Sequence, residues 1–257
     1  MSKDIAIRGV AKIFPLKDGR FTALDDVSLD ISASEFVAIV GPSGCGKSTL
    51  LNIVAGLEHP TSGEARVGGD VVTGPGPDRG VIFQQFALFP WLTVRKNVEF
   101  GLRTAGVPKA QRRARAEHFI ELVGLSRFAD ALPKTLSGGM KQRCAIARAY
   151  AVDPQILLMD EPFGALDSLT RVRLQEQLLQ TWSQDQRTVM FITHDVDEAV
   201  FLANRVVVMA ANPGRIVEII DVDLPYPRTE DVRLGAEFTA LRNRVWSAVH
   251  HQEGTPA

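Results

Sequence analysis

The spacing of hydrophobic residues changes repeatedly along the chain, between runs typical of strands and patterns typical of helices. Several of the strand-like runs are apolar throughout, as expected for strands buried on both faces. The predicted strands are Ile5–Ile7, Val27–Ile31, Phe36–Val40, Glu64–Val67, Val81–Phe83, Ile156–Asp160, Val189–Thr193 and Val206–Met209. Because buried strands alternate with helices, the pattern predicts an α/β fold with a mainly parallel core sheet.

The helical patterns have recognisable starts and stops. They run from Lys47 to about Gly56, from Thr93 to Leu125, and onward from Ser137, Ser168 and Asp195. Within the longest pattern, Pro108 occupies an early helical position and Gly124 a C-terminal stop.

One helix-rich segment, 85–150, interrupts the alternation of strands and helices, and we expect it to form a helical lobe. Residues 1–84 and 151–228 would then form the α/β lobe of a single domain. Residues 229–257 would form a C-terminal helix and tail.

Composition and charge exclude several classes of protein. The formal net charge of -1 argues against a protein that coats nucleic acid. The two cysteines, Cys45 and Cys144, are far apart and indicate neither a disulfide framework nor a zinc site, which fits a reducing cytoplasm. The N-terminus lacks the apolar core of a signal peptide, and no run approaches the ~18 apolar residues of a spanning helix. Any association with a membrane is therefore expected to go through a partner.

A glycine-rich segment follows the strand Phe36–Val40 directly and fits the phosphate-loop pattern GxxxxGK[S/T]. It consists of Gly41, Pro42, Ser43, Gly44, Cys45, Gly46, Lys47 and Ser48, and Thr49 follows it. Glycines let backbone N–H groups converge on phosphate oxygens, and the helix N-terminus adds a favourable dipole. Lys47 is expected to reach the β- and γ-phosphates of ATP, and the Ser48 hydroxyl to ligate Mg²⁺.

Besides the glycine-rich loop, an acidic segment is expected to contribute to the nucleotide site. Asp160 and Glu161 end the apolar strand Ile156–Asp160, and ligands of α/β sheets bind at this end of a strand. Asp160 is predicted to hold the Mg²⁺ shell and Glu161 to activate the attacking water. The pair favours hydrolysis over transfer of the phosphoryl group to a protein hydroxyl.

The segment that identifies a family begins at Leu136 and reads LSGGMKQR. It resembles the signature motif of ATP-binding-cassette ATPases, in which Ser137, Gly138 and Gly139 open a helix and present an anion-binding N-terminus. The resemblance implies a P-loop cassette with an N-terminal antiparallel β region and a helical lobe bearing the signature. It also implies a head-to-tail homodimer, in which this motif caps the γ-phosphate held by the other copy.

Further motifs of the family follow in order, and each implies a role. Gln84 matches the Q-loop glutamine that touches Mg²⁺ and the attacking water, and its neighbour Gln85 fits less well because the family residue directly follows a hydrophobic pair. Asp167 matches the D-loop that links the two sites. His194 matches the switch histidine near the γ-phosphate.

An aromatic residue is expected to stack on the adenine. Phe14 corresponds to the family position, where tyrosine is commoner, and Phe21 competes for the role. A Phe that only packs in the core remains an alternative.

Within the family, the chain looks most similar to ATPases of nitrate, sulfonate, taurine and bicarbonate importers. The segments that carry this likeness are Gly76–Val81, Phe89–Val94 and Asn212–Ile216. The resemblance implies a peripheral subunit on the cytoplasmic face of the cell membrane. Its partners would be permease subunits and, indirectly, a periplasmic or lipid-anchored solute-binding protein. A non-transport ATPase of the same family and an exporter subunit are the alternatives.

The apolar run that follows Gln84 carries one further hypothesis. Pro90 discourages a continuous strand or helix through it, so some of its large side chains are expected at the surface. Phe86 and Leu88 fit a packing role, whereas Phe89 and Trp91 fit a contact with the permease.

Overall fold

The computed structural model describes residues 2–251, so residues 252–257 of the expected C-terminal tail lie outside the described part. The strands are β1 Ile5–Leu16, β2 Gly19–Ile31, β3 Phe36–Val40, β4 Ser62–Val67, β5 Asp70–Val71, β6 Arg79–Ile82, β7 Ile156–Asp160, β8 Thr188–Ile192, β9 Arg205–Ala210 and β10 Arg215–Asp221. The helices are α1 Lys47–Ala55, α2 Val94–Thr104, α3 Lys109–Leu122, α4 Gly138–Ala151, α5 Ser168–Asp185, α6 Val196–Leu202, α7 Glu230–Leu234 and α8 Ala236–His250.

The chain divides into two compact units. The first runs to Gly76 and resumes at Gln175, and the second is Pro77–Leu174. The second unit extends beyond the segment 85–150 expected as a helical lobe, because the strands β6 and β7 belong to it.

An antiparallel sheet forms the N-terminal part of the first unit, in the strand order β2-β1-β4-β5. Ile5 pairs with Ile31 on one side and with Val67 on the other. The buried side chains of Ile5, Ile7 and Val10 lie along β1. The strands β1 and β2 are both longer than predicted. Their pairing shifts register three times between Ile7 and Ile13, and the added part of β1 lacks the regular alternation of buried and exposed residues that identifies a strand.

The core strands of the first unit confirm the prediction of a mainly parallel arrangement. β3 pairs in parallel with β8 on one side and with β9 on the other. All residues of β3 and β8 are buried, which explains the apolar runs Phe36–Val40 and Val189–Ile192. β10 pairs antiparallel with β9 and was not predicted, since only Ile220 on it is buried.

The second unit contains the parallel pair β6 and β7 and the predicted helical region. The helices α2, α3 and α4 contribute most of one apolar cluster, whose buried members are Val94, Val98, Leu102, Ala116, Ile120, Val123, Leu125, Ala129, Leu136, Cys144, Ala147 and Ala151. The helical pattern predicted over 93–125 is in fact two helices. Gly106, at φ 74°, turns the chain between them, and Pro108 is the N-cap of α3. Gly124, at φ 66°, follows the end of α3 as predicted.

The buried side chain of Arg228 ties the end of α6 to the strand-to-helix segment that follows β10. Its guanidinium donates hydrogen bonds of 2.8–3.3 Å to five carbonyl oxygens, those of Val200, Phe201, Ala203, Val222 and Leu224. Three of these carbonyls lie at the end of α6, where carbonyl groups have no N–H donor within the helix. Burial lowers the pKa of Arg228.

We expect Arg228→Met to destabilise the protein by about 3 kcal/mol, because buried carbonyl groups would lose their donors. Arg244→Met is the matched control, since Arg244 makes an exposed ion pair with Glu218 and should contribute less than about 1 kcal/mol. Urea unfolding of both variants measures the difference. Equal losses of stability would show that the five carbonyl contacts do not hold the end of α6.

Candidate functional site

The glycine-rich segment of the first unit is a loop between β3 and α1, as the sequence predicts. Gly46, the last residue before α1, has φ 87°. A Cβ atom on Gly46 would lie 2.6 Å from Cδ2 of Leu24 and 2.7 Å from the carbonyl oxygen of Ala23. Strand β2 therefore packs so closely against the loop that only glycine fits at this position.

Lys47 is folded into the loop that precedes it. The side chain is 8% exposed, and its Nζ donates to the carbonyl oxygens of Gly41 at 2.7 Å and Pro42 at 2.9 Å. Nζ also lies 3.5 Å from Sγ of Cys45, which is fully buried. The loop thus holds a positive charge beside the backbone of its own first residues.

The other loop residues are more open to solvent. Ser43, Gly44 and Ser48 are exposed, and Thr49 is half-buried. A Cβ atom on Gly44 would meet no atom within 4 Å, so this part of the loop faces open space. The exposed Ser48 hydroxyl and the loop backbone are therefore accessible to a ligand.

His194 lies beyond the same sheet edge as the loop. Ile39 of β3 pairs in parallel with Ile192 of β8, so both strands end side by side. The loop follows one of these ends and His194 follows the other. His194 is exposed, whereas the preceding Thr193 is buried.

The two candidates for an adenine contact are paired across the β1–β2 hairpin. Phe14 on β1 is in register with Phe21 on β2. Phe14 is half-buried with the Lys12 ammonium 4.9 Å from its ring centre, whereas Phe21 is exposed. Both lie on the hairpin whose strand β2 contacts the loop at Ala23.

The acidic residues of the second unit lie where its parallel strands end. Asp160, 9% exposed, is the last residue of β7, and Glu161 follows it at φ 46°. Gln84 comes shortly after β6, and its Nε2 donates to Oε2 of Glu161 at 3.1 Å. The structure therefore brings the predicted Q-loop residue into contact with the predicted base. A left-handed conformation in a non-glycine residue is often found at functional positions.

Arg148 of α4 holds the chain just beyond Gln84. Its guanidinium donates to the carbonyl oxygens of Ala87 at 2.6 Å and Phe86 at 3.3 Å. Ala87 has φ 45°, a conformation that is uncommon in a residue other than glycine. Burial lowers the pKa of Arg148. Sequence analysis missed this residue, because only the fold brings α4 to the Q-loop.

The signature motif begins α4 as predicted. The Oγ of Ser137 caps the helix by accepting a hydrogen bond from the backbone N–H of Met140 at 3.3 Å. Gly138 is exposed and Gly139 is half-buried, and a Cβ atom on Gly139 would lie 3.2 Å from Cδ2 of Leu166. The exposed helix start therefore lies beside the segment that leads to Asp167.

Asp167 is exposed and caps the start of α5. Its Oδ1 accepts a hydrogen bond from the backbone N–H of Thr170 at 3.0 Å. This bond is the main reason that the pKa of Asp167 lies below its ordinary value.

An aromatic surface follows the Q-loop in the second unit. Trp91 is 72% exposed, and its ring lies 5.7 Å from that of Phe89, which in turn lies 4.3 Å from Phe100. The buried side chain of Asn97 fixes this loop, since its Oδ1 accepts from Phe89 N at 2.9 Å and its Nδ2 donates to Leu92 O at 2.9 Å. Leu88 packs on the helical core, as expected.

The residues present suit a magnesium nucleotide. Within residues 2–251, no group of three or more His, Cys, Asp or Glu side chains is placed to hold a metal ion by itself. Mg²⁺ that arrives with a nucleotide does not need such a group, because phosphates and water supply most of its ligands. Taken separately, the first unit offers the hydroxyl of the exposed Ser48 and the second unit the Asp160 carboxylate, and both are oxygen ligands of the kind it takes. None of the helices in the described part of the chain is long and apolar enough to cross a membrane.

Comparison with known proteins identifies the family. The family model described as ABC transporter matches residues 24–164, more than half of the chain. The chain belongs to the ABC transporter family. It is an ATPase of the ATP-binding-cassette type, in which ATP hydrolysis is coupled to transport.

Curated relatives in the ABC family match nearly the whole chain. A protein of Brucella abortus (strain 2308), named provisionally as an ATP-binding protein, is 69% identical to this chain. The match covers 93% of this chain and 92% of the length of the relative. The nitrate import ATP-binding protein NrtD of Synechocystis sp. (strain PCC 6803) is 46% identical over 97% of this chain and 96% of its own. The bicarbonate transport ATP-binding protein CmpC of Synechococcus elongatus is 47% identical over 98% of this chain but only 39% of its own length.

Solved ABC cassettes share the fold. A dimeric post-hydrolysis state of the ATP-binding cassette MJ0796, bound to ADP and Pi, has a TM-score of 0.80 and 35% identity. The match covers 86% of this chain and 100% of the MJ0796 chain. This likeness confirms the predicted cassette fold, and a second MJ0796 structure that matches equally well is also dimeric.

Proposed function

We propose that this chain is the ATP-hydrolysing subunit of a bacterial importer for a small anion such as nitrate, an aliphatic sulfonate, taurine or bicarbonate. The observation that best supports a role in ATP hydrolysis is the contact between Gln84 and Glu161 at the end of β7. The proposal of an importer is supported by the relative named for nitrate import, which matches almost end to end. The two named solutes, nitrate and bicarbonate, are both small anions.

In this proposal, the loop Gly41–Thr49 binds the phosphates of ATP. Its backbone N–H groups and the start of α1 attract the phosphate oxygens, and the Lys47 ammonium exchanges its carbonyl acceptors for the β- and γ-phosphates. Phe14 stacks on the adenine. Bound Mg²⁺ would offset the charge that develops on the phosphates, with Ser48, Asp160 and Gln84 among the groups that hold it.

Three side chains act on the reacting atoms. Glu161 accepts the proton of the attacking water, and Gln84, already in contact with it, orients that water. The exposed His194 donates a hydrogen bond to the γ-phosphate. A general base positioned in this way contributes roughly 10²–10⁴-fold to the rate.

A second copy of the chain completes the site. The exposed start of α4 has Ser137, Gly138 and Gly139 at an anion-binding helix N-terminus. We infer that it caps the γ-phosphate held by the other copy in a head-to-tail dimer, with Asp167 linking the two sites. The dimeric state of the matching cassettes supports this arrangement.

Permease subunits dock on the aromatic surface formed by Phe89 and Trp91. An exposed tryptophan on a loop fixed from within by a buried asparagine is a preorganised contact surface. The subunit would then lie at the cytoplasmic face of the membrane, and a periplasmic or lipid-anchored protein would deliver the anion to the permease.

Lys47→Ala and Glu161→Gln separate binding from hydrolysis. Lys47→Ala should weaken ATP binding by roughly 10–100-fold, since charge-assisted hydrogen bonds to phosphate are lost. Glu161→Gln should bind ATP normally and lose roughly 10²-fold or more in kcat. Glu218→Gln, a change to an exposed carboxylate that pairs with Arg244, is the control and should match wild type. Nucleotide titration and phosphate release measure the two effects, and normal turnover by Glu161→Gln would remove this residue from the mechanism.

Trp91→Ala tests the docking surface. We expect near-normal basal ATPase activity of the isolated subunit and loss of association with the permease, because the change removes an exposed ring and leaves the Asn97 contacts in place. Trp246→Ala is the matched control, since Trp246 on α8 is also exposed, at 54%. Co-purification with the permease and anion-stimulated ATPase activity are the measurements. Normal association and normal stimulation of Trp91→Ala would refute this part of the proposal.

A further inference from the structure

A buried polar network lies directly behind the exposed His194. Thr193 and Glu198 are 2% and 5% exposed, and the Thr193 hydroxyl donates to Oε2 of Glu198 at 2.7 Å. The backbone N–H of Asp195 donates to the same hydroxyl oxygen at 3.0 Å. The hydroxyl of the residue before His194 therefore binds the residue after it and connects this turn to a buried carboxylate.

The second carboxylate oxygen of Glu198 also accepts a hydrogen bond from a buried side chain. Nε2 of Gln175, which is 1% exposed, donates to Oε1 of Glu198 at 2.9 Å. Oε1 of Gln175 accepts in turn from the Arg233 guanidinium, which lies 3.8 Å from the ring centre of Phe201. The network thus runs from α7 through α5 and α6 to the turn after β8. The amide of Gln175 can have only one orientation, because its two neighbours fix which atom donates and which accepts.

The backbone around His194 is restrained from other directions as well. The N–H of Thr193 donates to the carbonyl oxygen of Ile39 on the adjacent β3 at 3.3 Å. Oδ1 of Asp195 accepts from the N–H groups of Asp197 and Glu198 at 2.9 and 3.2 Å and so caps α6. The Thr193–Glu198 bond joins these two restraints, since it connects the strand end to the first turn of the helix.

A buried carboxylate is costly, and an apolar side chain at this position would pack without that cost. A hydrogen-bond network retained at such a cost gives orientation, which a catalytic side chain requires. We propose that Glu198 is a positioning residue for ATP hydrolysis: through the Thr193 hydroxyl, it fixes the turn that presents His194. This inference rests on the proposed contact of His194 with the γ-phosphate.

Thr193→Val is the decisive variant, because it nearly keeps the shape of the side chain and replaces the hydroxyl by a methyl group. A misplacement of about 1 Å costs up to ~10²-fold in rate, so we expect kcat to fall roughly tenfold or more. The KM for ATP should stay within about twofold, since the loop and Lys47 are untouched. Thr193→Ser retains the hydroxyl and should keep wild-type kcat. Glu198→Ala should reproduce the loss seen for Thr193→Val, and in the double variant the two losses should not add.

The imidazole resonances of the histidines provide a readout that a general loss of stability would not mimic. In spectra of the Cε1–H groups, His194 is assigned by its disappearance in His194→Ala. Thr193→Val should shift or broaden this resonance, whereas those of His59, His118, His250 and His251 stay unchanged and serve as internal controls. Thermal unfolding of Thr193→Val and Thr193→Ser confirms that both variants are folded.

The outcomes separate the two levels of inference. If His194→Ala hydrolyses ATP at the wild-type rate, the proposed role of His194 fails, and the positioning role fails with it. If His194→Ala loses activity while Thr193→Val keeps wild-type kcat, only the positioning role is overturned. A fall in kcat with an unmoved His194 resonance would also overturn it. A fall in kcat together with a changed His194 resonance and rescue in Thr193→Ser supports it.

Discussion

The Lys47 ammonium lies inside a loop of backbone, where carbonyl oxygens of the same loop are its acceptors. A buried cation is costly, and the loop must curve tightly to surround it. The curvature requires Gly46 in a left-handed conformation, and the close approach of Ala23 and Leu24 leaves no room for a side chain there. The fully buried β3 anchors the start of the loop. The surrounding strands thus hold one charge beside the loop backbone, and in the proposed function phosphate replaces its carbonyl acceptors.

The same sheet edge positions His194, through a helix that needs support from outside. α6 has seven residues and is too short to be stable alone. At its start, Asp195 caps the backbone and Glu198 connects to Thr193. At its end, Arg228 donates hydrogen bonds to the carbonyl groups of Val200 and Ala203. Two buried charged side chains therefore fix a short helix, and with it the turn that presents the histidine.

Much of the fold and most candidate site residues could be predicted from sequence, because their signals are local. The buried strand Phe36–Val40 and the loop that follows it are contiguous, and the family and cassette fold are confirmed. The roles of the individual site residues stay predictions. Arg148 and Arg228 were missed, since each binds carbonyl groups that only folding brings near it. Glu198 was missed because only folding buries its carboxylate against both Thr193 and Gln175. For Glu198, a weak signal was its place four residues after His194, within the first turn of a predicted helix.

The arrangement proposed for this ATPase has Lys47 of one copy and Ser137 of the other acting on the same nucleotide. The most direct measurement is the ATPase activity of a mixture of Lys47→Ala and Ser137→Arg. Each variant alone should be nearly inactive, because one cannot hold the phosphates and the other cannot cap them. In a mixed dimer, the intact loop of one copy faces the intact signature of the other. We predict that mixing restores a measurable part of the wild-type activity, whereas a mixture as inactive as its components would contradict a shared site.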